Sequence, residues 1–123
     1  MSSKGMVLIV EDEDSIRLSL RDFLTRRGYE VLVASDGVGA IKQLLDYEVD
    51  LIVSDYRMEV LGGDYWIRFL KKYCLGTRII VTSGFLRPEF DIPYEVVYKP
   101  FDYEDLEARI SLILGATPAS SPA

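Results

Sequence analysis

Short apolar runs alternate along the chain with longer stretches of helical periodicity, which predicts an α/β domain. The runs are rich in β-branched residues and lie at 6–10, 30–34, 50–54, 78–82 and 95–98. Continuous apolar runs of this length are typical of strands that are buried on both faces of a parallel sheet. We therefore predict five parallel strands.

Helices are predicted where apolar residues recur every three or four positions. The first covers 14–27, the second follows Asp36, and the third follows the Gly62-Gly63 turn. The last begins at Asp102, a good N-cap, with Gly115 beyond its end. The predicted inward-facing residues are Ile16, Leu20, Phe23, Leu24, Ile41, Leu44, Leu45, Trp66, Ile67, Leu70, Tyr73, Leu106, Ile110, Ile113 and Leu114.

The order of these elements predicts a flavodoxin-like, doubly wound five-stranded parallel sheet with strand order 2-1-3-4-5 and helices on both faces. The ligand crevice of such a sheet lies at the carboxyl ends of strands one and three. We expect one domain at 1–115. The tail at 116–123 is rich in Ala, Ser and Pro, and we expect it to be disordered or a linker stub.

Composition excludes several classes of function. The net charge of −6 argues against direct binding of nucleic acid, and no apolar stretch reaches membrane-spanning length. The chain has no histidine, which excludes Ser-His-Asp and Cys-His catalysis and the usual zinc sites. Without histidine, oxygen ligands from carboxylates are what remains for metal chemistry. The single cysteine, Cys74, fits a reducing cytosol, so we expect a cytoplasmic protein.

Charged residues follow three of the predicted strands. Glu11 and Asp12 follow the first, Asp55 follows the third and Lys99 follows the fifth. Since parallel strands end at the same edge of a sheet, we expect these side chains to share one pocket. Mutual repulsion of three carboxylates should raise at least one pKa when no cation is bound.

Carboxylates grouped in this way suit Mg²⁺, which prefers oxygen ligands, and the site therefore resembles a phosphoryl-transfer centre. Asp55 is the candidate nucleophile because an ionised aspartate forms an acyl phosphate. Lys99 suits contact with a phosphoryl oxygen. Thr82 and Ser83, at the end of strand four, offer a hydroxyl donor.

Across about residues 5–115 the chain resembles the receiver domains of response regulators in two-component signalling. The resemblance is carried by VLIVEDEDSIR at 7–17, DLIVSDYRM at 50–58, IIVTSG at 79–84 and VVYKPF at 96–101. It implies that Asp55 accepts a phosphoryl group from a histidine kinase or a histidine phosphotransfer domain.

The resemblance also implies a metal site. Asp12 and Asp55 would bind Mg²⁺ together with the backbone carbonyl of Arg57, and Glu11 would act through a water molecule.

Further roles implied by the resemblance concern the phosphoryl group. Ser83 and Lys99 would contact it, and Ser83 is chosen over Thr82 because the family places a small residue, here Gly84, after the hydroxyl residue. The bond between Lys99 and Pro100 is expected to be cis.

Three features depart from the family. Val96 occupies the position of the usual switch aromatic, with Tyr98 on the same face of the strand, and Glu59 replaces a usual proline. The span from Ser83 to Lys99 is shorter than usual, so the helix between strands four and five should be short or missing.

These observations favour a phosphorylatable receiver of a two-component system or phosphorelay, monomeric or a phosphorylation-dependent dimer. Beyond its own phosphorylation and slow dephosphorylation, no enzymatic turnover is expected. One alternative is a pseudo-receiver that only binds partner proteins. Another is an aspartyl-phosphate phosphatase, which is disfavoured because Arg57 occupies the position of its second aspartate.

Overall fold

The computed structural model describes residues 3–57, 60, 63–84 and 93–115. The described strands are β1 Met6–Val10, β2 Glu30–Ala34, β3 Leu51–Asp55, β4 Arg78–Ser83 and β5 Glu95–Tyr98. The described helices are α1 Asp14–Arg26, α2 Gly37–Asp46, α3 Gly63–Tyr73 and α4 Tyr103–Gly115.

The five strands form one parallel sheet in the order β2-β1-β3-β4-β5, which confirms the predicted flavodoxin-like topology. Val10 pairs with Ser54 at the end of β1, and Asp55 pairs with Thr82 at the end of β3. The carboxyl ends of the three central strands therefore lie side by side.

Helices cover both faces of the sheet. Leu20 and Leu24 of α1 and Leu106 and Ile110 of α4 pack with one set of strand residues into the first core cluster. Helices α2 and α3 pack on the other face. Because both faces are buried, the strands have continuous apolar sequences rather than alternating ones. Residues of the second cluster include Ala40, Trp66, Ile67 and Leu70.

Local sequence explains the helix ends. At the end of α1, Gly28 has φ of 103°, its N–H donates to Thr25 O, and the Tyr29 N–H donates to Leu24 O. This is the Schellman arrangement, in which a positive φ favours glycine. The side chain of Asp102 caps α4 by accepting from the Glu104 N–H at 2.7 Å.

Several predicted details are wrong. Leu45 and Tyr73 do not face the core as the periodicity predicts, because their exposed fractions are 79% and 64%. The third strand starts at Leu51 rather than at 50 and includes Asp55, and β4 extends to Ser83.

Some expectations lie outside the described residues. These are the shortened or missing helix, which would fall within 85–92, the tail at 116–123, and Glu59. In the described part of the chain, none of the helices has the length and apolar character needed to cross a membrane.

A buried hydrogen bond joins α3 to β3. The indole Nε1–H of Trp66 donates to Ser54 Oγ at 2.7 Å, and Ser54 Oγ donates to the backbone carbonyl of Asp55 at 3.0 Å. Trp66 is fully buried, so this bond has no competition from solvent. It fixes the orientation of α3 against the strand that carries Asp55.

We predict that Trp66→Phe and Ser54→Ala each lower the free energy of unfolding by about 1–3 kcal/mol, because each leaves a buried polar group without its partner. The double variant should lose less than the sum of the two, since it removes both partners. Chemical denaturation followed by circular dichroism measures these values. Tyr65→Phe, at an exposed position of the same helix, is the control and should change little. If the loss in the double variant equalled the sum of the two single losses, Trp66 and Ser54 would not be coupled.

Candidate functional site

The predicted convergence at the carboxyl edge of the sheet is confirmed. Glu11 and Asp12 follow β1, and Asp55 is the last residue of β3. One carboxylate oxygen from each of these three residues lies within 4.8 Å of the others. Glu11 and Asp55 are buried, whereas Asp12 is exposed, so the cluster opens to solvent on the side of Asp12.

Backbone and side-chain hydrogen bonds hold the loop after β1. The Glu11 N–H donates to Ala34 O at 3.0 Å, which extends the pairing with β2 by one residue. Glu11 Oε2 accepts from the Glu13 N–H at 3.0 Å, and Glu11 O accepts from Arg17 Nη1 at 2.9 Å. Arg17 also pairs with Asp14 at 2.6 Å. Three hydrogen bonds therefore hold Glu11 in place.

Backbone hydrogen bonds hold the described residues that follow Asp55. The Tyr56 N–H donates to Thr82 O at 2.9 Å, and the Gly63 N–H donates to Tyr56 O at 2.7 Å. Gly63 has φ of 60°, a conformation that favours glycine. Within the loop, the Arg57 N–H donates to Asp55 Oδ1 at 3.4 Å. These contacts keep the Asp55 carboxylate directed toward the crevice.

Lys99 reaches the acidic cluster from β5. Its backbone N–H donates to Ser83 O at 2.8 Å, and its peptide bond to Pro100 is cis, as predicted. Its Nζ lies 2.8 Å from Glu11 Oε1 and 3.2 Å from Asp55 Oδ2. A single ammonium group therefore bridges the two buried carboxylates.

Burial dominates the electrostatics of the two carboxylates. It raises the pKa of Asp55, and the positive charge and hydrogen bond of Lys99 oppose that rise only in part. Burial likewise raises the pKa of Glu11 against the hydrogen bond from Lys99. The predicted rise is confirmed in direction, but repulsion between carboxylates is a lesser cause than the loss of solvent.

The contacts that lower the pKa values of the carboxylates raise the pKa of Lys99. Burial by itself lowers the pKa of Lys99, but the hydrogen bond that Lys99 donates to Glu11 and the charges of Asp55 and Glu11 outweigh it and raise the pKa. Lys99 therefore stays charged at neutral pH and is a permanent partner for the cluster.

The arrangement fits a hard divalent cation. With all groups ionised, three carboxylates face one ammonium group, which leaves a formal charge of −2. A cavity of about 310 Å³ adjoins Asp12 and is lined also by Ser35, Asp36 and Val60, so the exposed carboxylate of the cluster borders open space. Grouped carboxylate oxygens with space for water are the donor set that Mg²⁺ prefers.

The structure locates the other predicted site residues without testing their predicted roles. Ser83 and Thr82 are both buried at the end of β4. Val96 packs against the core on the α2–α3 face, whereas Tyr98 is exposed. The hydroxyl contact of Ser83 with a phosphoryl group and the metal contact of the Arg57 carbonyl stay predictions.

Sequence reasoning missed the hydrogen bond from Trp66 to Ser54. Ser54 is the one polar residue within the apolar run of β3 before Asp55, and it is buried. A polar residue inside a buried strand requires a hydrogen-bond partner, so this signal was present in the sequence. The identity of that partner was not, because Trp66 approaches it from another element.

Comparisons with known proteins identify the family of the chain. A family model described as the response regulator receiver domain matches residues 7–111. The chain is 33% identical over 93% of its length to the sensor kinase CckA of Brucella abortus, of which it spans 13%. It is 32% identical over 94% of its length to the alkaline phosphatase synthesis transcriptional regulatory protein PhoP of Bacillus subtilis, of which it spans 51%.

A solved structure supports the fold. The response regulator receiver domain protein (CheY-like) from Methanospirillum hungatei superposes with a TM-score of 0.86 at 21% identity, covering 95% of this chain and 98% of that one. The match to the family model extends over most of the chain and includes Glu11, Asp12, Asp55 and Lys99. The chain therefore belongs to the response regulator receiver domain family.

Proposed function

We propose that the chain is a phosphoacceptor that takes a phosphoryl group from a phosphohistidine onto Asp55 with Mg²⁺ and thereby switches the binding of a partner protein. The observation that carries the proposal is the buried carboxylate of Asp55, which lies within 4.8 Å of carboxylate oxygens of Glu11 and Asp12 and 3.2 Å from Lys99 Nζ. The donor would be a histidine kinase or a histidine phosphotransfer domain.

The proposed metal ligands are Asp12, Asp55 and the backbone carbonyl of Arg57, with Glu11 acting through a water molecule. When bound, Mg²⁺ supplies positive charge that keeps the carboxylates ionised and neutralises phosphoryl oxygens. Asp12 suits the role because its exposed position opens toward the adjacent cavity.

The proposed transfer is an in-line displacement. A carboxylate oxygen of Asp55 forms a bond to phosphorus, and the phosphorus–nitrogen bond of the donor breaks, leaving its electron pair on the imidazole nitrogen. Lys99 would stabilise the transferred group through an oxygen, and Ser83 would donate its hydroxyl to another. The burial of Asp55 limits the access of water to its carboxylate, in keeping with a signalling intermediate rather than a turnover enzyme.

We expect the wild-type chain, incubated with Mg²⁺ and acetyl phosphate, to gain one phosphoryl group in an intact-mass measurement, whereas Asp55→Asn gains none. Asp46→Asn, at an exposed position on α2, is the matched control and should be modified like the wild type. An adduct on Asp55→Asn would place the acceptor elsewhere. A chain that binds Mg²⁺ and gains no adduct would favour the pseudo-receiver.

We predict that Asp55→Asn unfolds at a higher temperature than the wild type when Mg²⁺ is absent. The pKa of Asp55 is raised in the folded chain, so its ionised form costs stability at neutral pH, and this cost disappears as the pH falls through that pKa.

Mg²⁺ should stabilise the wild type by about 1.4 kcal/mol at ten times its Kd, and the variant less. Thermal melts with and without Mg²⁺ measure both effects. If the variant melted lower without Mg²⁺, the electrostatic account would be wrong.

We predict that Lys99→Met raises the pKa of Asp55 further, because it removes the positive charge that opposes the effect of burial. The carboxyl resonances of 13C-labelled protein, titrated without Mg²⁺, measure this shift. The wild-type midpoint should lie above that of an ordinary aspartate, and the variant midpoint should lie higher still. Lys42→Met, on the exposed surface of α2, should leave the titration unchanged. Equal midpoints in the wild type and Lys99→Met would refute the role of Lys99.

A further inference from the structure

An apolar groove lies between α2 and α3, away from the acidic site. Its volume is about 330 Å³, and it is lined by Ile41, Leu44, Leu45, Phe69, Tyr73 and Cys74. These residues come from the middle and carboxyl-terminal parts of both helices and from the residue after α3. Because each helix runs back from the carboxyl edge of the parallel sheet, the groove lies toward the opposite edge from Asp55.

Large apolar side chains are exposed in and beside the groove. The exposed fractions are 79% for Leu45 and 64% for Tyr73. Tyr47, directly after α2, and Leu75, two residues after the end of α3, are also exposed, Leu75 at 84%. A single exposed leucine is ordinary, but a group of large apolar side chains around one concavity is typical of an interaction surface.

Basic residues flank the groove on an otherwise acidic chain. Lys72 Nζ lies 5.5 Å from the ring of Tyr73, which lines the groove. Arg68 lies about one turn earlier on the exposed side of α3, 5.6 Å from the ring of Tyr65. Among the described residues, neither has a carboxylate partner within 4.0 Å. With a net charge of −6 for the chain, two basic side chains that have no carboxylate partner among the described residues and lie beside exposed aromatic rings form a local site for negative charge.

One wall of the groove is held rigidly. Phe69 stacks on the buried Trp66 with ring centroids 5.6 Å apart and an interplanar angle of 9°, and Tyr73 contacts Phe69 at 5.0 Å. Trp66 is itself fixed by its hydrogen bond to Ser54. A wall that is ordered before binding lowers the entropic cost of association.

We propose that this groove binds an amphipathic helix of a partner protein that presents an apolar stripe flanked by acidic residues. The apolar stripe would pack between α2 and α3, as helices commonly bind in apolar grooves, and the acidic flank would face Arg68 and Lys72. A second copy of the chain fits less well, because a symmetric pairing of α3 with α3 would bring these basic residues against each other.

The probe is a fluorescein-labelled synthetic helical peptide with leucine at every third or fourth position and glutamate on the flanking positions, titrated by fluorescence anisotropy. We expect saturable binding that weakens with added salt. Leu45→Ser should weaken binding about tenfold or more, as expected for loss of a buried leucine contact, and Lys72→Glu should weaken it several-fold.

Each variant has a matched control. Leu112→Ser replaces a leucine of similar exposure, 74% against 79% for Leu45, on α4, which packs on the opposite face of the sheet. Lys71→Glu changes the neighbouring lysine, which lies two residues from both Phe69 and Tyr73 and therefore about 160° round the helix from each. Both controls should bind the peptide like the wild type. All four sites are exposed, so the melting temperatures should stay close to that of the wild type.

Three results would overturn the proposal. The first is equal binding of a peptide in which lysine replaces every glutamate, and the second is unchanged binding by Leu45→Ser. The third is concentration-dependent dimerisation in analytical ultracentrifugation that Leu45→Ser abolishes, which would identify a second copy as the occupant. None of these measurements depends on phosphorylation of Asp55, so the groove and the phosphoacceptor are tested separately.

Discussion

The burial of two carboxylates at one edge of the sheet is the constraint on which the site depends. Glu11 and Asp55 have lost most of their solvent, and this loss raises the pKa of both. Lys99, with its Nζ 2.8 Å from Glu11 and 3.2 Å from Asp55, offsets only part of the cost. Since an unpaired buried charge is costly, an incompletely compensated cluster of this kind favours any ligand that brings further positive charge.

Parallel topology explains why so much of this site follows from sequence. Once short apolar runs are interpreted as parallel strands, every residue that follows a strand lies at the same edge. Glu11, Asp12, Asp55 and Lys99 could therefore be brought together without any contact information. The cause of the raised pKa values was less predictable, because burial depends on how the loops close over the carboxylates and not on their spacing in the chain.

Helical periodicity was less reliable at the helix ends. Leu45 and Tyr73 follow the apolar repeat of α2 and α3, yet both are largely exposed because they lie in the last turns. A periodic pattern identifies the apolar side of a helix but not how far along the helix the core extends. The contact of Trp66 with Ser54 could not be predicted from the sequence either, because it joins residues of two elements whose relative rotation is set by packing.

Helix α3 connects two surfaces of opposite charge. Near its beginning, Trp66 is bonded to the strand that carries Asp55, and at its end Tyr73 lines the groove beside Lys72. An acidic segment is disfavoured at the carboxylate edge by like charge and favoured beside Arg68 and Lys72. Charge alone would therefore direct an acidic helix to the groove and away from Asp55, which would leave the carboxylate edge accessible while the groove is occupied.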